Sequence, residues 1–230
     1  MEKYSYIQEN YLKLSEEIRK LGEKCGNNVT LVAVTKSGSD EELCALASFG
    51  AADIGENRPQ ELVRRGALLA ERGFTPRLHE IGNLQRNKVK SIIESVHLIH
   101  SLDSYELALE IDKQAKRVGR RVPVLIEVNS AGEDAKGGIS PEECEDFYRR
   151  ISELESLEIS GIMTMGPVCE DAEDIRPYFR LTKELFDKMN NKYGFKNGGI
   201  LSMGMSDSYK VAIEEGATLV RVGRMIFNKT

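Results

Sequence analysis

Short apolar runs alternate with amphipathic stretches along almost the whole chain. Eight runs, several of them rich in β-branched residues, predict β-strands, and the stretches between them carry apolar residues at helical spacing. The expected strands are Leu31–Thr35, Ala52–Gly55, Arg77–Ile81, His97–Ser101, Pro123–Val128, Ile159–Met163, Ile200–Met203 and Thr218–Val222. The expected helices between them are Glu41–Phe49, Gln60–Arg72, Gln85–Ser95, Tyr105–Val118, Glu142–Leu154, Ile175–Asn190 and Ser208–Glu215.

One more amphipathic helix is predicted ahead of the first strand. Its apolar positions recur at helical spacing and form one face; they are Ile7, Tyr11, Leu14, Ile18 and Leu21. Strict alternation of strand and helix implies a parallel sheet with right-handed crossovers, and eight such units close naturally into a barrel. We therefore predict an α/β fold, a single (β/α)8 TIM barrel with an extra N-terminal helix. A doubly wound open sheet is the alternative.

Composition and charge narrow the class of protein. The 230 residues are 40% hydrophobic and 30% charged, which is typical of a globular protein with a substantial core. No Pro/Gly-rich linker divides the chain, so residues 1–230 are expected to form one domain. A net charge of −5 argues against nucleic-acid binding. No apolar segment approaches the length of a membrane span and the N-terminus is polar, so a cytoplasmic location is expected.

The cysteines and histidines do not form a recognisable motif. The four cysteines are scattered without a CxxC pair, which predicts reduced thiols; they are Cys25, Cys44, Cys144 and Cys169. His97 and His100 have opposite parity in an expected strand and should face apart, which gives no metal site. His79 is expected to be structural.

Lys36 is the most informative residue for function. It follows the apolar run at Val32 and Val34 with the same parity, so its ammonium is expected to continue an apolar stripe. Desolvation there would favour the neutral amine, which a lysine needs in order to form a Schiff base. A strand end that points into water is the alternative interpretation.

The last two expected strands end in small and polar residues. Ser206 or Asp207 can cap the following helix, and backbone N–H groups there can hold an anion. Gly223 allows close approach of a phosphate oxygen to the backbone. Arg221 shares a face with Gly223 and places a guanidinium beside it. Ordinary turn chemistry explains each piece alone, but the combination with a reactive lysine favours a phosphate-binding site.

In a barrel these residues meet at one end. Lys36, Asn57, Ser206 and Arg221 lie at or beyond the C-terminal ends of expected strands, where barrel active sites are found. Pyridoxal 5′-phosphate (PLP) fits this arrangement, because it offers an aldehyde to the lysine, a phosphate to the glycine loops and a ring nitrogen between them.

The chain also resembles the pyridoxal phosphate homeostasis proteins, a family of PLP-binding barrels, over nearly its whole length. Several long motifs in the same order carry the resemblance: Val32–Lys36, Gly55–Arg58, His79–Lys88, Val128–Asn129 with Glu133, Lys136 and Gly138, Gly161–Met165, Leu201–Asp207 and Val220–Gly223. The resemblance implies an intracellular PLP-binding protein that acts in vitamin B6 homeostasis and amino-acid balance. Its expected partners are PLP and PLP-dependent apoenzymes, without nucleic acid or membrane, and the chain is expected to be a monomer.

The resemblance also implies roles for individual residues. Lys36 would carry PLP as an internal aldimine, Arg221 would face the pyridine nitrogen, and Asn57 would lie beside the ring. Ser206 and the backbone at Gly223 and Arg224 would hold the phosphate. Family members often have a hydroxyl residue where this chain has Arg224, and Glu80 stands where an aromatic residue is common.

Two further function classes compete with the PLP carrier. An alanine-racemase-type enzyme shares the barrel and lysine, but racemisation needs two bases and this chain leaves no room for the extra domain that supplies the second. An arginine at the pyridine nitrogen also makes the ring a poor electron sink. We therefore expect no efficient catalysis. A barrel enzyme for a phosphorylated metabolite, with Lys36 bonded to substrate, is the third possibility. The interpretation of the 129–138 segment is open between a lid and a solvated connection.

Overall fold

Eight parallel strands close into a barrel in which each strand pairs with the next along the chain. The computed structural model describes residues 2–132 and 137–229. The strand order is β1 through β8, with β8 pairing back to β1. The strands are β1 (Thr30–Val34), β2 (Asp53–Glu56), β3 (Arg77–Glu80), β4 (Leu98–Leu102), β5 (Val122–Glu127), β6 (Leu157–Met163), β7 (Ile200–Ser202) and β8 (Leu219–Val222). The predicted barrel is confirmed, and every strand boundary lies within two residues of the predicted one.

Helices surround the barrel between the strands. They are α1 (Ser5–Cys25), α2 (Asp40–Ser48), α3 (Pro59–Glu71), α4 (Arg86–Ile92), α5 (Tyr105–Arg117), α6 (Cys144–Ile151), α7 (Arg176–Tyr193), α8 (Tyr209–Glu214) and α9 (Arg224–Phe227). The extra N-terminal helix α1 buries Ile7, Leu14 and Ile18 and ends at Gly26, whose φ of 74° is a left-handed conformation that glycine adopts readily. No helix within the described ranges is long and apolar enough to span a membrane.

Two apolar regions stabilise this arrangement. The larger one lies between the strands and the surrounding helices. The smaller one fills the barrel interior with one side chain from each of five strands: Val32, Leu98, Leu125, Met163 and Leu219. Since side chains alternate along a strand, residues two positions further along these strands point toward the C-terminal mouth of the barrel. The positions that carry chemistry are therefore fixed by the same alternation that builds the core.

Candidate functional site at the barrel mouth

The six site residues predicted from sequence lie on one arc of the barrel. Lys36 and Asn57 follow β1 and β2, Ser206 follows β7, and Gly223 and Arg224 follow β8. Because β7, β8, β1 and β2 are neighbours in the closed barrel, these positions come from adjacent strands. Arg221 lies within β8 and pairs in register with Val32 of β1. The barrel thus brings Lys36, Arg221 and the two candidate phosphate-binding loops, which follow β7 and β8, to the same mouth.

Lys36 lies in a turn rather than in the strand. β1 ends at Val34, and the Gly38 N–H donates to the Thr35 carbonyl over 3.0 Å. The Lys36 side chain is exposed. The burial expected from the alternation was therefore wrong, because the chain turns away after Thr35 and Lys36 no longer continues the strand.

A buried arginine from α3 fixes this turn. Arg65 donates to the Thr35 carbonyl over 2.6 Å, to the Gly38 carbonyl over 2.7 Å and to the Glu56 carboxylate over 2.7 Å. The Thr35 hydroxyl donates to the same carboxylate oxygen of Glu56. Arg65 and Glu56 are 7% and 2% exposed, so the pair lies in a low-dielectric environment where an unpaired partner would be costly. The guanidinium thus holds both ends of the segment that carries Lys36.

Helix α2 begins directly after this turn with a capping box. The Ser39 hydroxyl accepts from the Glu42 N–H over 3.2 Å, and the Glu42 carboxylate accepts from the Ser39 N–H over 2.8 Å. Each side chain satisfies a backbone donor that the first helical turn leaves unpaired. The segment around Lys36 is therefore anchored on its C-terminal side as well.

Arg221 is buried inside the barrel with most of its donors engaged. Its guanidinium donates to the Ser202 hydroxyl, to the Thr164 carbonyl over 3.0 Å and to the Met165 sulfur over 3.5 Å. Burial lowers the pKa of Arg221 to about 10, and the nearby Glu127 carboxylate opposes this shift. Arg221 therefore remains charged at neutral pH.

Glu127 is a site residue that the sequence interpretation missed. It ends β5, and it shares a face with Leu125 of the barrel interior. Burial raises its pKa to about 7; Asp103 raises it further and Arg221 lowers it. A carboxyl group that titrates near neutral pH is suited to accept and donate protons. Glu127 lies at the end of an expected strand and has the same parity as the residues that face the barrel interior, and this sequence pattern could have identified it.

The loops after β7 and β8 offer unpaired backbone donors. In the part of the chain that the structure describes, the N–H groups of Ser206, Asp207, Arg224 and Met225 have no protein acceptor. A side chain at Gly223 would not fit, because a Cβ there would lie 2.6 Å from the Val34 carbonyl oxygen. Four free N–H groups on adjacent loops suit a phosphate dianion.

Two details of these loops differ from the sequence interpretation. Ser208, not Ser206 or Asp207, precedes α8, and its hydroxyl accepts from the Met205 N–H over 3.2 Å. The Arg224 side chain forms an exposed ion pair with Asp207, which joins the two loops. Ser206 is consequently not used as a helix cap.

Two backbone hydrogen bonds join the beginning and the end of the segment that follows β5. The Asn129 N–H donates to the Ile139 carbonyl over 2.9 Å, and the Ile139 N–H donates to the Glu127 carbonyl over 2.8 Å. Residues 133–136, four positions of the predicted lid segment 129–138, lie outside the described residues. The choice between lid and connection stays a prediction.

Known proteins are similar to this chain in sequence and in fold. The family model described as "Alanine racemase, N-terminal domain" matches residues 10–230. The pyridoxal phosphate homeostasis protein of Aquifex aeolicus is 40% identical over 224 residues, which cover 96% of this chain and 97% of that protein. The protein of the same name from Helicobacter pylori is 37% identical over 87% of this chain and 88% of its own. The chain belongs to the pyridoxal phosphate homeostasis protein family.

Solved structures agree with this assignment. PipY of Synechococcus elongatus, solved with PLP bound, has a TM-score of 0.84 and 27% identity over 96% of this chain and 100% of its own. A protein of unknown function from Bifidobacterium adolescentis has a TM-score of 0.87 and 34% identity, covering 97% and 95% of the two chains. Alanine racemase of Clostridium difficile shares the fold at a TM-score of 0.73 and 17% identity, and the match covers 57% of that longer chain.

Proposed function

We propose that this chain binds PLP at the barrel mouth, holds it covalently through Lys36 and serves in PLP homeostasis. The observation that carries the proposal is the convergence of three chemically distinct groups on neighbouring strands: an exposed amine in an anchored turn, a buried guanidinium and unpaired backbone donors. PLP carries an aldehyde, a ring nitrogen and a phosphate dianion. The donor set of the site therefore fits each functional group of the cofactor.

Each residue has a defined task in this proposal. Lys36 supplies the amine, and Arg65 keeps its turn in place through the carbonyls on either side. Arg221 donates a hydrogen bond to the ring nitrogen. Ser206 and the backbone at Gly223 and Arg224 hold the phosphate, and Asn57 lies beside the ring. When bound, PLP supplies a carbonyl carbon that accepts amines and a ring that withdraws electrons.

The charge of Arg221 favours a carrier over an efficient enzyme. A guanidinium donates hydrogen bonds but does not readily give up its proton, and Arg221 is charged at neutral pH. The ring nitrogen beside it therefore stays unprotonated, and the ring withdraws electrons weakly. We propose PLP-dependent apoenzymes as the recipients of the cofactor.

Spectroscopy and trapping test the proposal. Purified protein is titrated with PLP, reduced with borohydride and digested, and the modified lysine is identified by mass spectrometry. We expect a visible absorbance band and an adduct on Lys36, and both should disappear in Lys36→Ala. The matched control is Lys90→Ala, which replaces an exposed lysine on α4. An adduct on another lysine, or PLP retained unchanged by Lys36→Ala, contradicts the assignment.

Glu127 favours a second function, weak acid–base chemistry on a bound amino acid. β5 lies opposite β1 in an eight-stranded barrel, so Glu127 and Lys36 approach the mouth from opposite sides. Two proton-transfer groups on opposite sides are what racemisation requires. Deuterium uptake at the α-carbon of single-enantiomer amino acids tests this. Loss of slow exchange in Glu127→Gln supports the second function, and identical exchange in both proteins removes it.

A further inference from the structure

Five polar side chains cross the barrel interior in one hydrogen-bonded line. The Arg221 guanidinium donates to the Ser202 hydroxyl, which lies 3.0 Å from Nδ1 of His100. Nε2 of His100 lies 3.0 Å from Nδ1 of His79, and Nε2 of His79 lies 2.9 Å from the Asp53 carboxylate. None of the five is more than 5% exposed. The line runs from the N-terminal end of β2 to the site beneath the mouth.

His79 is therefore not an isolated structural histidine. β3 and β4 bring the two rings together, and the centroid of the His79 ring lies 5.2 Å from the centroid of the His100 ring. The third histidine, His97, precedes β4 and is exposed. The parity argument predicted that His97 and His100 face apart, yet the His97 ring also lies near His79, with 5.5 Å between the centroids. It gave no indication that His79 and His100 would meet, because this contact depends on the register of two different strands.

The chemistry of the two ends, taken together with neutral imidazole rings, fixes the direction of every hydrogen bond in the line. Burial disfavours ionisation of Asp53, but hydrogen bonds from His79 and Arg77 lower its pKa to about 2, so it is an acceptor only. Arg221 is a donor only. Burial lowers the pKa of His100 well below its ordinary value of 6.5, and the neighbouring Arg221 charge acts in the same direction. His100 is thus neutral and has one donor and one acceptor nitrogen.

With neutral imidazoles, only one arrangement satisfies all partners. His79 donates from Nε2 to Asp53 and accepts at Nδ1 from the Nε2–H of His100. His100 accepts at Nδ1 from the Ser202 hydroxyl, whose lone pairs remain free to accept from Arg221. The hydroxyl proton of Ser202 is thereby directed to His100, which fixes the orientation of the hydroxyl group and leaves both lone pairs available to Arg221.

We propose that Ser202, His100 and His79 are positioning residues, which orient Arg221 for the ring nitrogen of PLP through this chain to Asp53. The inference rests on the proposed function, in which Arg221 meets that nitrogen. Three of the five guanidinium N–H groups are directed to Ser202, Thr164 and Met165 within the described ranges. Two N–H groups are left for a ligand, and their direction is fixed by the bonds of the other three.

The first test uses the protein without PLP. The chain contains three histidines, so a long-range ¹⁵N–¹H correlation spectrum of histidine-labelled protein gives a separate pattern for each ring. We expect the Nε2–H tautomer for His79 and His100 at pH 7.5. In Asp53→Asn the terminal carboxylate is lost, and we expect the two rings to change or mix tautomers. A proton on Nδ1 of His100 in the wild type reverses the direction and overturns the proposal.

The second test compares PLP with 1-deazapyridoxal 5′-phosphate, in which a C–H replaces the ring nitrogen. Wild-type protein should prefer PLP, and this preference should fall about tenfold in Ser202→Ala, as expected for loss of a hydrogen bond to a charged group. The matched control is Ser101→Ala on β4. Ser101 is 2% exposed, and its hydroxyl has no hydrogen-bond partner in the described ranges. The control should keep the preference.

The two tests separate failure of this inference from failure of the proposed function. If wild type binds PLP through Lys36 but Ser202→Ala and Asp53→Asn keep the full preference for the ring nitrogen, the chain does not position Arg221. If wild type binds neither compound, the proposed function itself fails, while the tautomers still report on the chain. A general loss of folding in Ser202→Ala would reduce binding of both compounds equally and leave Asp53→Asn as the deciding variant.

Discussion

Replacing Glu80 with glutamine should stabilise the protein at alkaline pH. Glu80 ends β3 and is fully buried; one carboxyl oxygen accepts from the Gly82 N–H over 3.2 Å, and the other has no partner among the described residues. Burial raises its pKa to about 8; the Gly82 bond opposes this rise and the Glu56 charge adds to it. The carboxyl group is therefore protonated at neutral pH in the folded protein. Glutamine is a neutral replacement of similar shape.

The sign and size of the Glu80 contribution to stability follow from the difference between its pKa in the folded protein and its pKa in the unfolded chain. Above pH 4.5 the unfolded chain releases this proton first, so the contribution to stability is complete below pH 4.5, declines as pH rises and is lost above about 8. At about 1.4 kcal/mol per pH unit the full effect is at most about 5 kcal/mol, since relaxation and water entry reduce the cost of a buried charge. Between pH 6 and pH 9 the expected loss is about 3 kcal/mol.

Urea unfolding at pH 6, 7, 8 and 9 measures this effect. The free energy of unfolding of wild type should fall relative to that of Glu80→Gln as pH rises, with unchanged m-values. Glu127 titrates in the same range but contributes equally to both proteins, so the difference isolates Glu80. The control Glu94→Gln, at an exposed position, should follow wild type. Parallel stability curves for wild type and Glu80→Gln would refute the reasoning.

Three further predictions concern the residues around the site. Arg65→Ala should lower the free energy of unfolding by about 3–5 kcal/mol, because it leaves the buried Glu56 charge unpaired. In urea melts the control Arg64→Ala, at an exposed neighbouring position, should cost under about 1 kcal/mol. Equal losses in the two variants would contradict the conclusion that Arg65 anchors the turn. Asp207→Asn should release Arg224 toward the phosphate and tighten PLP binding about 2- to 5-fold at low salt. Weaker PLP binding by this variant in a titration would show instead that the ion pair supports binding. Gly223→Ala should weaken PLP binding, because its Cβ would lie 2.6 Å from a β1 carbonyl oxygen; unchanged affinity would show that close approach is not needed.

The fold was predictable because its signals are local. Apolar runs and helical spacing depend on residues within one element, and the strands were located to within two residues. For the candidate site, the sequence predicted which positions contribute but not which distant residues hold them in place. The turn at Lys36 depends on Arg65, which lies thirty residues beyond Thr35 in the sequence, and no local pattern identifies that partner. The contact between His79 and His100 requires the register of β3 and β4. Glu127 differs from Arg65 and from the histidine pair, because its parity and its place at the end of an expected strand are both visible in the sequence.

The pairing of β1 with β8 has a consequence for synthesis of the protein. Lys36 follows the first strand of the barrel, whereas the arginine and the candidate phosphate loops belong to the last two strands, so the ribosome makes one part of the candidate site long before the other. Asn10 of α1 also bonds to the carbonyls of Ile226 and Asn228, over 3.3 and 3.0 Å, across the same closure. A nascent chain that lacks β8 cannot assemble the site. A ligand bound there spans the closure, and it should therefore slow the separation of the first strand from the last.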